Sequence, residues 1–385
     1  MVSAIRGKYA IVGVGESDVG KRGSRPGMTT IGLTMEAATR AIEDSGLPRK
    51  EIDGLLTRGP QYNYSAVLAG LLGLPPRHYI NDVGLSGVCS VSMILNAVAA
   101  LEAGFCENVI CMNGGGGDDG GGVRDAGHTP WVDDLETAFG QLGAPIGYSL
   151  PARRHMYEYG TTSEQFGAIA VACRKHASLN PNAAYRNPIT IEDHQNSRMI
   201  AEPFHLLDCC PPTIGAGAII ITSVERARDL PNKPIYILGM GHCNTHCDIA
   251  WAPSMTTVAM RDASRRAYAM AGLSPQDVDF ANVYDCFTYT ALVTLEDYGF
   301  CKKGEGGAFV EGGRIEIGGE LPLNTGGGLL SQAHSSGFLH ITEAATQLRG
   351  NAGKRQVADA KIGIVSGQSG TLGINACALL GNDPG

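Results

Sequence analysis

Three residues of this 385-residue chain are of types and in settings that can do chemistry. His334 lies in GGGLLSQAHSSGFLH, between a glycine turn and the helical pattern FLHITEAATQL. A neutral imidazole in such a place accepts a proton near neutral pH. Tyr284 ends the apolar run DFANVYDCF. A phenol with an ordinary pKa of about 10 is a poor base but a good proton donor to an oxyanion. Cys89 opens the helical pattern SVSMILNAVAALEAG, where the positive helix end favours a thiolate. Each also has a plainer reading: a turn histidine bonded to backbone, a packed aromatic, a small buried thiol.

Other clusters point less far. HCNTHC, His242 to Cys247, pairs two histidines and two cysteines at i, i+4. Four alternating ligands cannot all point one way, and zinc sites usually show two separated pairs, so no metal is expected. GGGGDDGGG, Gly114 to Gly122, lacks the Gly-Lys-Ser/Thr ending of a phosphate loop and reads as a flexible loop after a strand. Cys209 and Cys210, in LDCCPP, read as core or turn residues. Arg153, Arg154 and Arg186 stand where they can meet phosphates, although exposed arginines ordinarily only solubilise.

The elements that must position these residues alternate. Strand patterns fall near 8–14, 52–57, 107–113 and 217–223, then near 234–240, 279–284, 314–317 and 361–366. Helical patterns fall near 29–45, 88–103, 256–271, 288–298 and 338–349. This alternation predicts α/β layers. An internal repeat divides the chain. MTTIGLTMEAATRAIEDSGLPRKEIDGLL from Met28 is echoed by MTTVAMRDASRRAYAMAGLSPQDVDFANV from Met255. Both break at a Gly-Leu turn, at Gly46 and Gly272, and both follow a glycine-bearing strand pattern. Two halves are expected, 1–232 and 233–385, the first interrupted by a polar loop subdomain at about 118–205 beside a ligand site.

Composition narrows the function classes. Hydrophobic content of 43% with 18% charged residues fits a globular chain. The net charge of −8, with the signs interspersed, argues against nucleic acid. No apolar run reaches the roughly 18 residues of a membrane span. Eleven cysteines without disulfide-like spacing, and an N-terminus without a signal-peptide pattern, suggest a cytoplasmic location.

GYSLPARRHMYEYGTT, LDCCPPTIGAGAIIIT, VYDCFTYTALVTLEDYGFC, LNTGGGLLSQAHSSGFLHITEAATQLRG and IVSGQSGTLGINACALLG span nearly the whole chain. Together they resemble the thiolase superfamily, and within it the sterol-carrier and lipid-transfer-protein-like thiolases. The resemblance implies two duplicated βαβ-type halves in α-β-α-β-α layers, a homodimer and a coenzyme A thioester substrate. AHSSG is similar to the family's Gly-His-Pro-x-Gly loop, with His334 as its histidine and Gly337 as its last glycine. YDCF stands where thiolases have Asn-Glu-Ala-Phe, so Tyr284 replaces an asparagine that holds water. SGQSGTLG stands where thiolases carry a second cysteine; Ser366 and Gly367 occupy that neighbourhood, with Gly370 after them. Gly337, Gly367 and Gly370 are the substrate-binding positions the resemblance implies. The nucleophile is displaced: counting back from Gly104 by the family's spacing lands on Gly87, two residues before Cys89.

Steroid side-chain aldolases in this superfamily also lack the thiolase cysteines. They resemble this chain in the tyrosine at position 284 but carry a second tyrosine where His334 stands. The expectation is retro-aldol cleavage of a β-hydroxyacyl-CoA, with a steroid-type side chain by analogy, by His334 and Tyr284, without metal or organic cofactor. The alternatives are acyl transfer through Cys89, activated by His334, and a non-catalytic lipid-carrier or subunit role. The resemblance further implies a small partner built from a zinc ribbon and an OB-fold.

Overall fold

The computed structural model describes residues 3–58, 64–84, 86–119, 138, 140–141 and 143–385. Strands β1 (Tyr9–Glu16), β3 (Gly54–Thr57), β4 (Tyr79–Asp82), β5 (Asn108–Gly115) and β8 (Thr213–Ser223) come from the first part of the chain. Strands β9 (Ile235–Asn244), β10 (Phe280–Asn282), β11 (Ile362–Ser369) and β12 (Ile374–Gly381) come from the second. They join in the order β10-β11-β12-β9-β1-β8-β5-β3-β4, with the two-residue β2 (Gly20–Lys21) pairing with β8. β6 (Met199–Ala201) and β7 (Phe204–His205) form a separate ribbon. At one edge β3 runs parallel to β4 and β5; at the other β10 runs parallel to β11. β1 and β9 meet antiparallel at the centre through Ala10–Tyr236 and Ile11–Ile235.

Helices α1 (Thr30–Ser45), α2 (Tyr64–Leu71), α3 (Cys89–Glu102), α4 (Ala144–Tyr159), α5 (Ser163–Leu179), α6 (Ile191–Asn196), α7 (Ala259–Ala271), α8 (Thr288–Asp297) and α9 (Phe338–Arg349) fill the layers. α3 and α9 each touch strands of both flanks and form the middle layer. Their core includes Val88, Cys89, Met93, Phe338 and Ile341 against Ile11, Ile219, Val365 and Ala376. α1 covers the outer face of β1, β5 and β8, and α7 covers β9 and β12. The result is the expected α-β-α-β-α arrangement.

The repeated segments pack in matching ways. Thr29 caps α1 by accepting from Gly32 N at 3.0 Å, and Gly46 ends it in the left-handed region at φ 70°. α7 ends the same way at Gly272, φ 65°. On β1, a Cβ at Gly13 or Gly15 would lie 2.4 or 2.2 Å from the carbonyl oxygens of Ala41 and Ala37 in α1. On β9, a Cβ at Gly239 or Gly241 would lie 2.2 or 1.8 Å from those of Ala267 and Ala263 in α7. Strand and helix backbones therefore touch directly in both places. The segments differ at their starts: α7 begins at Ala259, because the amides of Thr256 and Thr257 bond to Ser254 Oγ and keep that stretch out of the helix.

Two expectations need correction. The described part of 118–205 is mainly helical, in α4, α5 and α6, despite its Asn and Pro content. Thr162 and Thr190 build capping boxes with Gln165 and Asp193. Residues 120–137, 139 and 142 of that segment lie outside the described residues. The stretch expected as a strand at 314–317 forms turns between Gly313, at φ 77°, and Gly318, at φ 91°. The described part of the glycine-rich loop is anchored: Asp119 accepts from Thr30 N at 3.0 Å and Asp118 from Gly27 N at 2.6 Å.

Candidate active site

Separate segments converge on one cavity of about 230 Å³, whose wall includes Arg58, Gly87, Tyr148, Tyr284, His334 and Gln368. Arg58 follows β3, Tyr284 follows β10, and Gln368 lies near the end of β11, which is parallel to β10. Carboxyl ends of strands in α/β sheets are where ligand crevices form.

The backbone of Tyr284 is fixed on both sides. Its N–H donates to Ser366 Oγ at 3.0 Å, and the preceding Val283 N–H donates to Asn324 Oδ1 at 2.7 Å. His334 is held by its own N–H, which donates to Thr213 Oγ1 at 2.7 Å. These anchors bring the Tyr284 hydroxyl to 3.2 Å from His334 Nε2, with the rings edge-to-face. Burial lowers the His334 pKa to about 4; the Arg58 charge acts the same way and Asp285 opposes it. Burial pushes Tyr284 well above its ordinary value, with Cys286 and Cys210 adding to the effect. At neutral pH the pair is therefore a neutral imidazole against a protonated phenol, one acceptor and one donor.

Behind them stands Asp285, fully buried, which accepts from Leu329 N at 2.8 Å and lies 3.3 Å from His340 Nε2. It ties the turn leading to His334 onto the strand end that carries Tyr284. Tyr148 and Gln368 form a second polar pair in the wall, with Tyr148 Oη 2.9 Å from Gln368 Oε1.

Cys89 is not in the wall. It is fully buried at the start of α3, and burial pushes its thiol up to about 11 despite the nearby Arg58 charge. Its thiol lies close behind the wall residues Ser336 and Arg58, and desolvation there outweighs the helix end and the Arg58 charge that would favour a thiolate. Gly87 faces the dyad instead. A Cβ at Gly87 would lie 2.3 Å from the Tyr284 hydroxyl.

Of the glycines expected to meet substrate, Gly370 lines the cavity. Gly337 and Gly367 face protein: added Cβ atoms would lie 3.0 Å from Ser90 Oγ and 2.9 Å from Val88 Cα. Arg58 stands in no motif; Tyr148 and Gln368 lie within GYSLPARRHMYEYGTT and SGQSGTLG, but nothing there singled them out as site residues.

A family description, "Thiolase C-terminal domain-like", matches residues 241–382. A steroid side-chain-cleaving aldolase of Thermomonospora curvata is 38% identical over 371 residues, covering 91% of this chain and 93% of that protein. The chain belongs to the thiolase superfamily. A 17-hydroxy-3-oxo-4-pregnene-20-carboxyl-CoA lyase of Mycobacterium tuberculosis is 37% identical over 369 residues, covering 90% of this superfamily member and 93% of that protein. The solved structure of an Ltp2-ChsH2(DUF35) aldolase matches with TM-score 0.89 and 36% identity, covering 98% of this chain and 99% of that one.

This thiolase-superfamily chain holds no group of three or more His, Cys, Asp or Glu placed for a metal among the described residues. His242 and Cys243 are successive residues of β9 and so point to opposite faces, and His246 Nδ1 lies 2.9 Å from Thr245 Oγ1. No helix among the described residues is long and apolar enough to cross a membrane. Arg153 and Arg154 pair with Glu202 at 2.8 Å and Glu158 at 2.6 Å; neither lines the cavity.

Proposed function

We propose that this chain is a lyase that cleaves a carbon–carbon bond of a β-hydroxyacyl-CoA by retro-aldol chemistry. The observation that carries this reading is the Tyr284–His334 contact of 3.2 Å, beside a glycine where the family spacing would set a nucleophile. Proton movement needs both partners of such a contact; acyl transfer needs an accessible thiolate, and Cys89 is buried and protonated.

The assignment gives His334 the role of base and Tyr284 that of acid. His334 Nε2 takes the proton of the β-hydroxyl. The Cα–Cβ bond breaks, its electrons pass to the thioester as an enolate, and the former alcohol carbon becomes a ketone. Tyr284 gives its proton to the enolate carbon and recovers one from His334 through their hydrogen bond. The hydroxyl proton thus ends on carbon, and the pair returns to its starting state without water. The chemistry asks for no metal or organic cofactor.

The relatives' names support a steroid side chain as the acyl group. The same reading includes a homodimer, a cytoplasmic location and a small zinc-ribbon and OB-fold partner; the ChsH2(DUF35) component named in the matching aldolase structure supports the partner. It also takes 1–232 and 233–385 as duplicated halves, supported by the matching glycine contacts of α1 and α7.

The test is incubation with 17-hydroxy-3-oxo-4-pregnene-20-carboxyl-CoA, alone and with the partner. A 17-ketone and a short acyl-CoA appearing in equal amounts supports the reading. A covalent acyl adduct on Cys89 replaces it with acyl transfer. Intact substrate under both conditions overturns it.

A further inference from the structure

Retro-aldol cleavage leaves negative charge on the thioester oxygen, in a site whose walls remove water from it. His334 and Tyr284 are both uncharged when the site is empty, so neither supplies a standing positive charge. Arg58 does. It follows directly on β3, lines the cavity with His334, and its Nη1 donates to Ser336 Oγ at 3.2 Å. Ser336 belongs to the loop that carries His334 and stands in the left-handed region at φ 53°. A non-glycine residue in that region costs conformational energy and persists where the surroundings hold it. The guanidinium is thus tied to the loop that presents the base; among the described residues Ser336 is its hydrogen-bond partner, and its side chain lines the cavity.

We propose that Arg58 is a further catalytic residue, the cation that stabilises the thioester enolate oxygen. This rests on the retro-aldol reading above. A guanidinium stays charged throughout the working pH range and donates in a fixed planar fork, which suits an oxyanion better than a transferable proton does. Arg58 does not exchange a proton in this step. The enolate forms as His334 becomes an imidazolium, so the site gains one negative and one positive charge together. Arg58 disfavours the imidazolium in the empty site, and the enolate between them offsets that repulsion only while the intermediate exists. Arg58 therefore also sets when His334 is charged. Among the described residues, the other charged or titratable groups that bear on His334 are Asp285 and His340, with Tyr284 as hydrogen-bond partner.

The test uses Arg58→Gln and Arg58→Lys in the full chain, with its partner protein, on 17-hydroxy-3-oxo-4-pregnene-20-carboxyl-CoA. Arg58→Gln is expected to lower kcat on the order of 10²-fold with KM within about threefold, and Arg58→Lys to recover at least about tenfold of that loss. A rise in KM alone would make Arg58 a binding residue for another part of the ligand and overturn the proposal. So would an unchanged kcat, or failure of the folded lysine variant to recover activity. Histidine NMR titration of the unliganded protein reads the charge separately from turnover. His334 should titrate at a higher pH in Arg58→Gln than in wild type; an unmoved titration overturns the proposal. If wild type does not cleave this substrate, the retro-aldol reading fails by itself, and the proposed catalytic role fails with it. The titration then still measures whether the Arg58 charge reaches His334.

Discussion

The hydroxyl of Tyr284 occupies space that a side chain on Gly87 would need. A Cβ at position 87 would lie 2.3 Å from that hydroxyl and 2.5 Å from the carbonyl oxygen of Gln368. A cysteine at 87 and a tyrosine at 284 thus exclude one another in this arrangement. While Tyr284 holds that place, position 87 has no room for a thiol nucleophile.

Gly87→Ala is accordingly expected to displace Tyr284, lowering kcat on the order of 10²-fold and costing about 1–3 kcal/mol of stability by overpacking. Tyr284→Phe should lower kcat similarly while leaving the urea midpoint close to wild type. Steady-state rates and urea denaturation of both variants check this. A Gly87→Ala enzyme with wild-type rate would remove the steric argument.

The pH dependence follows from His334. Its folded pKa, about 4, is depressed from 6.5, so between these values the unfolded chain binds the extra proton. Its contribution to stability is complete above pH 6.5 and is lost as pH falls toward 4. Wild type should therefore lose stability more steeply than His334→Gln across that window, measured by denaturant titration at several pH values. The acid limb of kcat/KM should fall near pH 4 rather than near 6.5.

Cys89→Ala should cost at most a few-fold in rate. Its thiol is buried and held protonated, so brief alkylation of the native enzyme at pH 7.5 should leave it unmodified by peptide mass spectrometry. Abolished turnover in the alanine variant would restore the acyl-transfer mechanism.

Asp285→Ala removes the acceptor for two backbone N–H groups, those of Leu329 and Leu330, at 2.8 and 3.4 Å. It also strips His340 of a carboxylate at 3.3 Å. The expected cost is about 3 kcal/mol in urea denaturation. Turnover should fall as well, because the released turn leads into His334.

Tyr284 and His334 were marked by the resemblance of YDCF and AHSSG to family motifs; local sequence by itself favoured a packed aromatic and a turn histidine. Tyr284 ends an apolar strand pattern, and glycines bracket the loop of His334. The long helices α1, α3, α8 and α9 appeared within a residue or so of their patterns, since periodicity and glycine stops agree there. β12 is buried along its whole length, so its run INACALLG shows no alternation. α4 carries Pro151 in its interior and falls in the segment expected as a loop subdomain, yet the chain folds it as one helix. The misread strand at 314–317 alternates correctly, but its flanking glycines turn the chain instead. Arg58, Tyr148 and Gln368 are ordinary single residues; only the topology brings them together. For Cys89 the sequence left a thiolate and a small buried thiol both open, because a helix start looks the same in sequence whether it meets water or a second sheet.

The glycines of β1 and β9 have a mechanical consequence. At Gly13, Gly15, Gly239 and Gly241 no side chain separates strand from helix, so α1 and α7 rest on the sheet backbone to backbone. A rotamer change, the usual way one layer slides over another, is unavailable at those seams. Those two seams therefore hold α1 to β1 and α7 to β9 as rigid pairs, whatever moves at the strand ends.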